Sequence, residues 1–210
     1  MSLELIIGPM FAGKSSTILS RVKRAEVIGI KSFIVTSNID TRYPELSTPR
    51  TPVLDGVKSG NDVECDTTRY HTNTNLIKTH DKQTVDAVSL ENIKEITLFA
   101  AFQQAKLIII EEAQFFEGLY EMVIKLVEVY RRDVIVVGLD GDSDRKPFGE
   151  ILQLVPLADT ITKLTALCKR CGDGTPALFT YSTAKKSTQV CVGDSSAYQA
   201  LCRKHYLEPA

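Results

Sequence analysis

An α/β protein built on a parallel sheet with helices over both faces is the fold class predicted here, and three observations carry it. Short apolar segments alternate with segments of helical periodicity over the N-terminal two thirds of the chain. Two of those segments, residues 107–110 (Leu-Ile-Ile-Ile) and 134–137 (Val-Ile-Val-Val), are apolar at every position, as strands buried on both faces are. Residues 8–15 read Gly-Pro-Met-Phe-Ala-Gly-Lys-Ser, a complete G-x-x-x-x-G-K-[ST] phosphate-binding loop set between an apolar strand and a helical pattern.

The elements follow in order. Residues 3–7 (Leu-Glu-Leu-Ile-Ile) read as the first strand. Residues 16–28 place Ile18, Leu19, Val22, Ala25 and Val27 at near-helical spacing, which predicts a helix. Residues 31–36 (Lys-Ser-Phe-Ile-Val-Thr) read as strand, 84–88 as a short alternating strand and 91–104 as helix. Then come strand 107–110, an amphipathic helix over 118–131, strand 134–137 and a last strand within 158–165. Residues 38–78 differ: with Pro44, Pro49, Pro52, many Ser, Thr and Asn, and no sustained period, they predict an insertion without regular structure. A near-repeat, Asp40-Thr41-Arg42-Tyr43 and Asp66-Thr67-Thr68-Arg69-Tyr70, lies inside it. From Leu167 onward the chain is polar and bears cysteines, so the expected layout is an α/β domain over 1–166 and a small subdomain over 167–210 that needs a staple.

Composition narrows the function. Lys and Arg number 25 against 26 Asp and Glu, a net charge of −1, which speaks against a nucleic-acid partner. No stretch approaches the length of a membrane span, and the chain enters strand and phosphate loop at once, so no membrane partner is expected and the cytoplasm is the expected compartment. In that compartment the five cysteines are expected as reduced thiols or metal ligands.

Four groups of residues carry chemistry. In the loop, Gly8 and Gly13 permit tight turns and close approach to a polyphosphate. Lys14 is expected to bridge the β- and γ-phosphates and Ser15 to complete the coordination of Mg²⁺. Glu111 and Glu112 end the buried strand 107–110 beside that site. Successive strand residues point opposite ways, so one carboxylate can hold a metal-bound water and the other can face a hydroxyl acceptor as general base. The run from Leu139 to Gly149 follows another buried strand and faces the crevice at the strand C-termini. There Arg145 or Lys146 can neutralise a transferring phosphoryl group and Phe148 can pack against a base. Finally, Cys168-Lys-Arg-Cys171 is followed by Cys202-Arg-Lys-His205, three sulfurs and one imidazole that form a closed tetrahedral set for a structural Zn²⁺. Cys65 and Cys191 have no close partner in sequence and read as plain thiols.

The chain closely resembles the type II (cellular and poxviral) thymidine kinases. The resemblance rests on 8–15, Asp40-Thr-Arg-Tyr43, Thr79-His-Asp81, Glu112-Ala-Gln-Phe-Phe116, Leu139-Asp-Gly141, Arg145-Lys-Pro-Phe-Gly149, Leu154-Val-Pro-Leu-Ala158 and Lys163-Leu-Thr-Ala166, in order over nearly the whole length. It implies a RecA-like phosphate-loop sheet with a zinc-stapled lasso subdomain, and ATP-dependent phosphorylation of the 5′-hydroxyl of thymidine or deoxyuridine with Mg²⁺. Glu112 takes the place of the family's catalytic base. Gly8, Pro9, Met10, Phe11, Ala12, Gly13, Lys14, Ser15, Asp81, Glu111 and Gln114 are placed with ATP and magnesium, and Arg145 with the transferring phosphoryl group. Met10, Phe115, Leu139, Ser143, Phe148 and Thr180 are placed at the thymine. Lasso residues Gln189, Val190, Cys191, Val192 and Gly193 would read the base edge through their backbone, with Tyr198 on the deoxyribose. The resemblance also implies a homotetramer and inhibition by thymidine triphosphate.

The chain departs from the family at four places. Glu111-Glu112 stands where Asp-Glu is usual, and Ser143 where many members carry an aromatic that packs on thymine. The segment 38–78 is longer than the family's loop, and His205 replaces a more familiar Cys. Ser143 keeps open a deoxynucleoside kinase of shifted base specificity. A nucleic-acid-dependent ATPase on the same sheet is disfavoured by the neutral charge, and a non-catalytic binding module by the intact Lys14, Ser15 and Glu112.

Overall fold

The structure, a computed structural model, describes residues 1–38, 74–78, 84–183 and 197–208. Its centre is a seven-stranded sheet in the order β3-β4-β2-β5-β6-β1-β7. These strands are β1 (Ser2–Ile7), β2 (Ser32–Ser37), β3 (Thr74–Lys78), β4 (Thr84–Leu90), β5 (Leu107–Glu111), β6 (Asp133–Gly138) and β7 (Thr160–Lys163). All neighbours run parallel except β3, which pairs antiparallel with β4 at the sheet edge.

Alternation along each strand splits the core in two. Ile108 and Ile110, Val134 and Val136, Phe33 and Val35 face one layer, while Ile109, Ile135, Val137 and Ile34 face the other. The second layer is closed by α1 (Lys14–Val27), which inserts Ile18, Val22 and Ala25. The first is closed by a 3₁₀ turn (Ile93–Leu98), α2 (Ala100–Gln104), α3 (Leu119–Ile124) and a 3₁₀ segment (Ile151–Leu157). The predicted parallel sheet with two covered faces is therefore present. Helix α1 stops where expected for a glycine C-cap: Gly29 has φ 74°, and Ile30 N donates to Ala25 O at 3.0 Å. Val27, counted in the apolar stripe, is 86% exposed.

Three elements differ from expectation. Residues 91–104 are not one helix; Phe99 is extended (φ −84°, ψ 133°) and separates a 3₁₀ turn capped by Asn92 from α2. Phe99 leaves the helical path to set its ring 5.7 Å from that of Phe33, and the β-branched Ile93, Ile96 and Thr97 give the preceding stretch little propensity to resist. Over 118–131, α3 widens into a π-helical turn (Lys125–Val129) closed by Tyr130 N to Lys125 O. The N-terminus of α3 is capped from afar, by the Glu150 carboxylate accepting from Gly118 N (3.0 Å) and Tyr120 N (2.9 Å). Lastly, 74–78 inside the presumed irregular insertion is strand β3; its hydrogen bonds come from β4, a partner no local pattern announces.

The C-terminal part carries two small antiparallel pairs, β8 (Ala166–Leu167) with β9 (Pro176–Ala177) and β10 (Phe179–Ser182) with β11 (Tyr198–Leu201), followed by α4 (Arg203–Leu207). They enclose a separate small core of Ala166, Cys168, Ala177, Ala200, Leu201 and Cys202, against which Ala12 of the phosphate loop packs.

Ile110 is fully buried at the middle of the sheet. Replacing it with Ala is expected to cost about 2–5 kcal/mol of stability, read as a lower urea midpoint at unchanged slope.

Candidate active site and metal centre

Every strand of this sheet except β3 ends on the same side, and three segments meet there: the loop after β1, the turn after β5 and the turn after β6. Among the described residues, the non-glycines with positive φ are Phe11 (66°), Glu112 (49°), Arg131 (55°) and Arg145 (64°). Three of these four fall one on each of the three converging segments, a concentration of backbone strain that marks a functional locus.

The phosphate loop runs from Gly8 into α1, with Gly13 (φ 80°) at the N-cap. Its two glycines serve different needs. A Cβ on Gly13 would meet nothing within 4 Å, so its conformation alone requires glycine. A Cβ on Gly8 would stand 2.5 Å from the Leu164 carbonyl oxygen, so Gly8 makes room for the chain leaving β7. The Lys14 ammonium donates to the carbonyls of Pro9 (2.9 Å) and Gly8 (3.3 Å), which places its charge over the loop. Ser15 Oγ donates to Glu111 Oε1 at 2.7 Å.

That last bond separates the two acids. Glu111, at the end of β5, turns toward the loop. Glu112 takes the left-handed conformation, and its Oε2 accepts from Gln114 Nε2 instead. Both carboxylates are more than nine-tenths buried, as is Gln114. Two hard oxygen donors side by side, the Ser15 hydroxyl and the Glu111 carboxylate, are the donor set that Mg²⁺ takes from a protein when most of its shell is water and phosphate.

The turn after β6 is built around Asp142. Its Oδ1 accepts from Asp144 N (2.8 Å) and Lys146 N (2.9 Å), while Gly141 and Pro147 form a bridge. Asp140 pairs with Lys163 at 2.8 Å. Asp142 and Ser143 are buried within this turn, while Asp144, Arg145, Lys146 and Pro147 are exposed. Phe148 meets Phe115 edge to face at 5.4 Å, which unites two residues expected at the thymine, and Leu139 is buried beside Gln114. Ser143 Oγ is buried with no hydrogen-bond partner.

The metal set assembles as expected. Cys168, Cys171, Cys202 and His205 bring their ligand atoms within 4.8 Å of one another. His205 Nδ1 lies 3.5, 3.3 and 3.6 Å from the sulfurs of Cys168, Cys171 and Cys202, and the sulfurs of Cys171 and Cys202 are 3.8 Å apart. A zinc tetrahedron with ordinary bond lengths puts sulfurs about 3.8 Å apart and sulfur and nitrogen about 3.6 Å apart. The sulfurs are far too distant for a disulfide. Burial raises the Cys168 thiol, but backbone N–H groups of Cys202 and Cys171 outweigh it and bring it down to about 6. A bond from Thr175 favours the Cys171 thiolate, yet burial and the neighbouring sulfurs push that thiol up to about 11. Three sulfurs this close do not all ionise without a cation among them, and a zinc ion held by this set would supply that charge.

This metal knuckle touches both loops. Thr180 on β10, expected at the base, accepts from Met10 N of the phosphate loop at 3.0 Å. Tyr206, next to His205, donates its hydroxyl to Ser143 O at 2.7 Å and carries the Arg145 guanidinium 4.6 Å above its ring. Arg145 also lies 5.7 Å from the Phe179 ring. The parts played by Tyr206, Asp142, Gly138 and Gly149 are not read from sequence, although Tyr206 adjoins a metal-set residue and Asp142 and Gly149 lie inside the run from Leu139 to Gly149. Tyr198 opens β11 opposite Ser182. Asp81, Gln189, Val190, Cys191, Val192, Gly193 and the near-repeat lie outside the described residues.

A phosphate loop joined by hydrogen bond to an acidic strand end, beside a second buried carboxylate, defines a phosphoryl-transfer enzyme of the α/β class. The profile of the thymidine kinase family matches residues 1–55 and 62–206. The chain is 32% identical over 209 residues to thymidine kinase a of Arabidopsis thaliana, spanning 98% of this chain and 75% of that protein. It is 30% identical over 208 residues to the cytosolic thymidine kinase of Bos taurus (99% and 73%). With the thymidine kinase of vaccinia virus, strain Western Reserve, it shares 31% over 206 residues (98% and 97%). The chain belongs to the thymidine kinase family. No helix among the described residues is long and apolar enough to cross a membrane.

Metal analysis of the purified protein is expected to find about one zinc per chain. A well-folded sample holding less than about half a zinc per chain overturns the assignment. Cys171→Ser should lower the melting temperature and raise the thymidine KM together, because the knuckle holds Met10 and Ser143. Bound zinc should fall as pH drops, since protons compete for the thiolates and the imidazole.

Proposed function

We propose that this thymidine kinase transfers the γ-phosphate of ATP to the 5′-hydroxyl of thymidine or deoxyuridine with the following division of labour. Ser15 and Glu111 hold Mg²⁺, which neutralises charge on the phosphates, and Lys14 binds the β- and γ-phosphates from the loop of residues 8–13. Glu112 accepts the proton of the 5′-hydroxyl as the O5′–Pγ bond forms and the bond from Pγ to the β,γ-bridging oxygen breaks, releasing ADP and the 5′-monophosphate. The observation that carries this reading is the Ser15–Glu111 bond with Glu112 turned the other way, which supports giving the metal side to Glu111 and the acceptor side to Glu112. The extra methylene of Glu111 reaches Ser15 directly, so a longer acid fits the metal side.

Phe115, Phe148 and Leu139 are proposed as the apolar wall of the thymine site, with Met10 and Thr180 at its junction with the donor loop. Tyr198 meets the deoxyribose, Asp81 the phosphates, and the lasso residues 189–193 the base edge, as in the family. Arg145 serves the transferring phosphoryl group by leaving its stack on Tyr206. The zinc-bearing part is read as a subdomain over 167–210, supported by its own small core. A homotetramer in the cytoplasm, inhibited by thymidine triphosphate, completes the proposal.

Glu112→Gln should leave nucleotide binding intact and cut kcat by about 10²–10⁴; unchanged turnover removes Glu112 from the role of base. A second reading, shifted base specificity, draws on Ser143, whose buried unpartnered hydroxyl occupies the place of an aromatic. Rates with thymidine, deoxyuridine, deoxycytidine, deoxyadenosine and deoxyguanosine decide between them. Thymidine and deoxyuridine are expected to lead, and a clear preference for a purine or for deoxycytidine establishes the second reading.

A further inference from the structure

Gln114 is buried to 3% and sits at the meeting point of the segments after β5 and β6. Its amide is used at both ends. Oε1 accepts from Leu139 N at 3.0 Å, and Nε2 donates to Glu112 Oε2. The orientation of that amide is forced, because a backbone N–H can only donate and so selects the oxygen end. The nitrogen end is then obliged to face Glu112, where it meets an acceptor. The backbone around Gln114 is cleared for it by two glycines. A Cβ on Gly138 would stand 2.5 Å from Gln114 Oε1, and one on Gly149, itself at φ 60°, would overlap the Gln114 carbonyl. Four points of contact from three separate segments thus converge on one side chain and its own backbone.

We propose that Gln114 is a positioning residue for phosphoryl transfer: it orients the Glu112 carboxylate and ties that orientation to the backbone at Leu139. It acts on the base and not on the nucleotide. The inference rests on Glu112 being the base. A carboxylate at a left-handed residue has no regular secondary structure to aim it, and the fixed amide supplies the aim. Because Leu139 begins the turn that carries Ser143, Arg145 and Phe148, the same amide keeps the base in register with that turn.

Gln114→Glu tests this with little change of shape, since one oxygen still accepts from Leu139 N while the other presents a carboxylate to Glu112. Steady-state kinetics are expected to show kcat lowered by about 10–10²-fold, the scale of a misplacement near 1 Å. The KM values for ATP and thymidine should stay within about threefold of the unsubstituted enzyme, a split that a merely destabilising change or a lost nucleotide ligand does not produce. In a Glu112→Gln background the same substitution should cost less than about threefold, because no carboxylate base is left for residue 114 to orient. Thermal melts of each variant control for folding, and Gln114→Met replaces Gln114→Glu if the latter does not fold. A tenfold or larger rise in the ATP KM at unchanged kcat assigns Gln114 to the nucleotide and overturns the proposal. An equal loss in both backgrounds also overturns it. Failure of the underlying reading is separately visible, as wild-type turnover by Glu112→Gln alone.

Discussion

Two adjacent carboxylates buried at the end of one strand impose the constraint from which the rest of the site follows. Burying an acid is costly unless it is given a partner, and burying two in succession doubles the demand where space is least. The fold meets it by dividing them. Glu111 continues the strand and finds Ser15 on the phosphate loop; Glu112 leaves the strand through a left-handed turn and finds Gln114. The bare Gly138 and Gly149 are the consequence one layer out, since Gln114 fits only where two neighbouring backbones lack a Cβ. The loop after β1, the acid pair and the turn after β6 are in this way parts of one packed unit.

The Cys₃His knuckle is the second anchor, and its contribution is positional. Its small core is slight, and four side chains placed to close on one metal ion would supply what burial lacks. What it then presents are two hydrogen bonds in opposite directions. Thr180 receives Met10 N from the donor loop, and Tyr206 gives its hydroxyl to Ser143 O of the turn after β6. The Cys₃His knuckle is thereby tied to the loop after β1 and to the turn after β6 at once.

The legible parts of the fold were those where burial leaves a periodic trace. Strands β5 and β6 are apolar throughout because both faces are covered, and α1 repeats Ile18, Val22 and Ala25 for the same reason. Residues 91–104 fit a helix by their apolar positions while packing breaks it at Phe99 toward Phe33, whereas 118–131 is helical as expected and only widens into a π turn after Ile124. Strand β3 left no trace, since an edge strand of Thr-Asn-Leu-Ile-Lys takes its order from β4. In the site, motif residues such as Lys14, Ser15 and the Cys₃His set were readable because their spacing is itself the chemistry. Asp142, Tyr206 and the role of Gln114 were not, because each acts on a residue distant in the chain or through an exact placement of backbone.

By itself, the sequence determined the motifs and through their order the family: a phosphate-loop pattern, an acid pair at a strand end and a Cys₃His set at metal-ligand spacing. These follow from residue type and local spacing, which short-range covalent geometry converts directly into structure. Only the tertiary structure decided which glutamate faces the loop, where the Gln114 amide points, and that the metal knuckle reaches both loops. Those are relations among strands brought together by sheet order β5-β6-β1, and no local pattern encodes the distance between them.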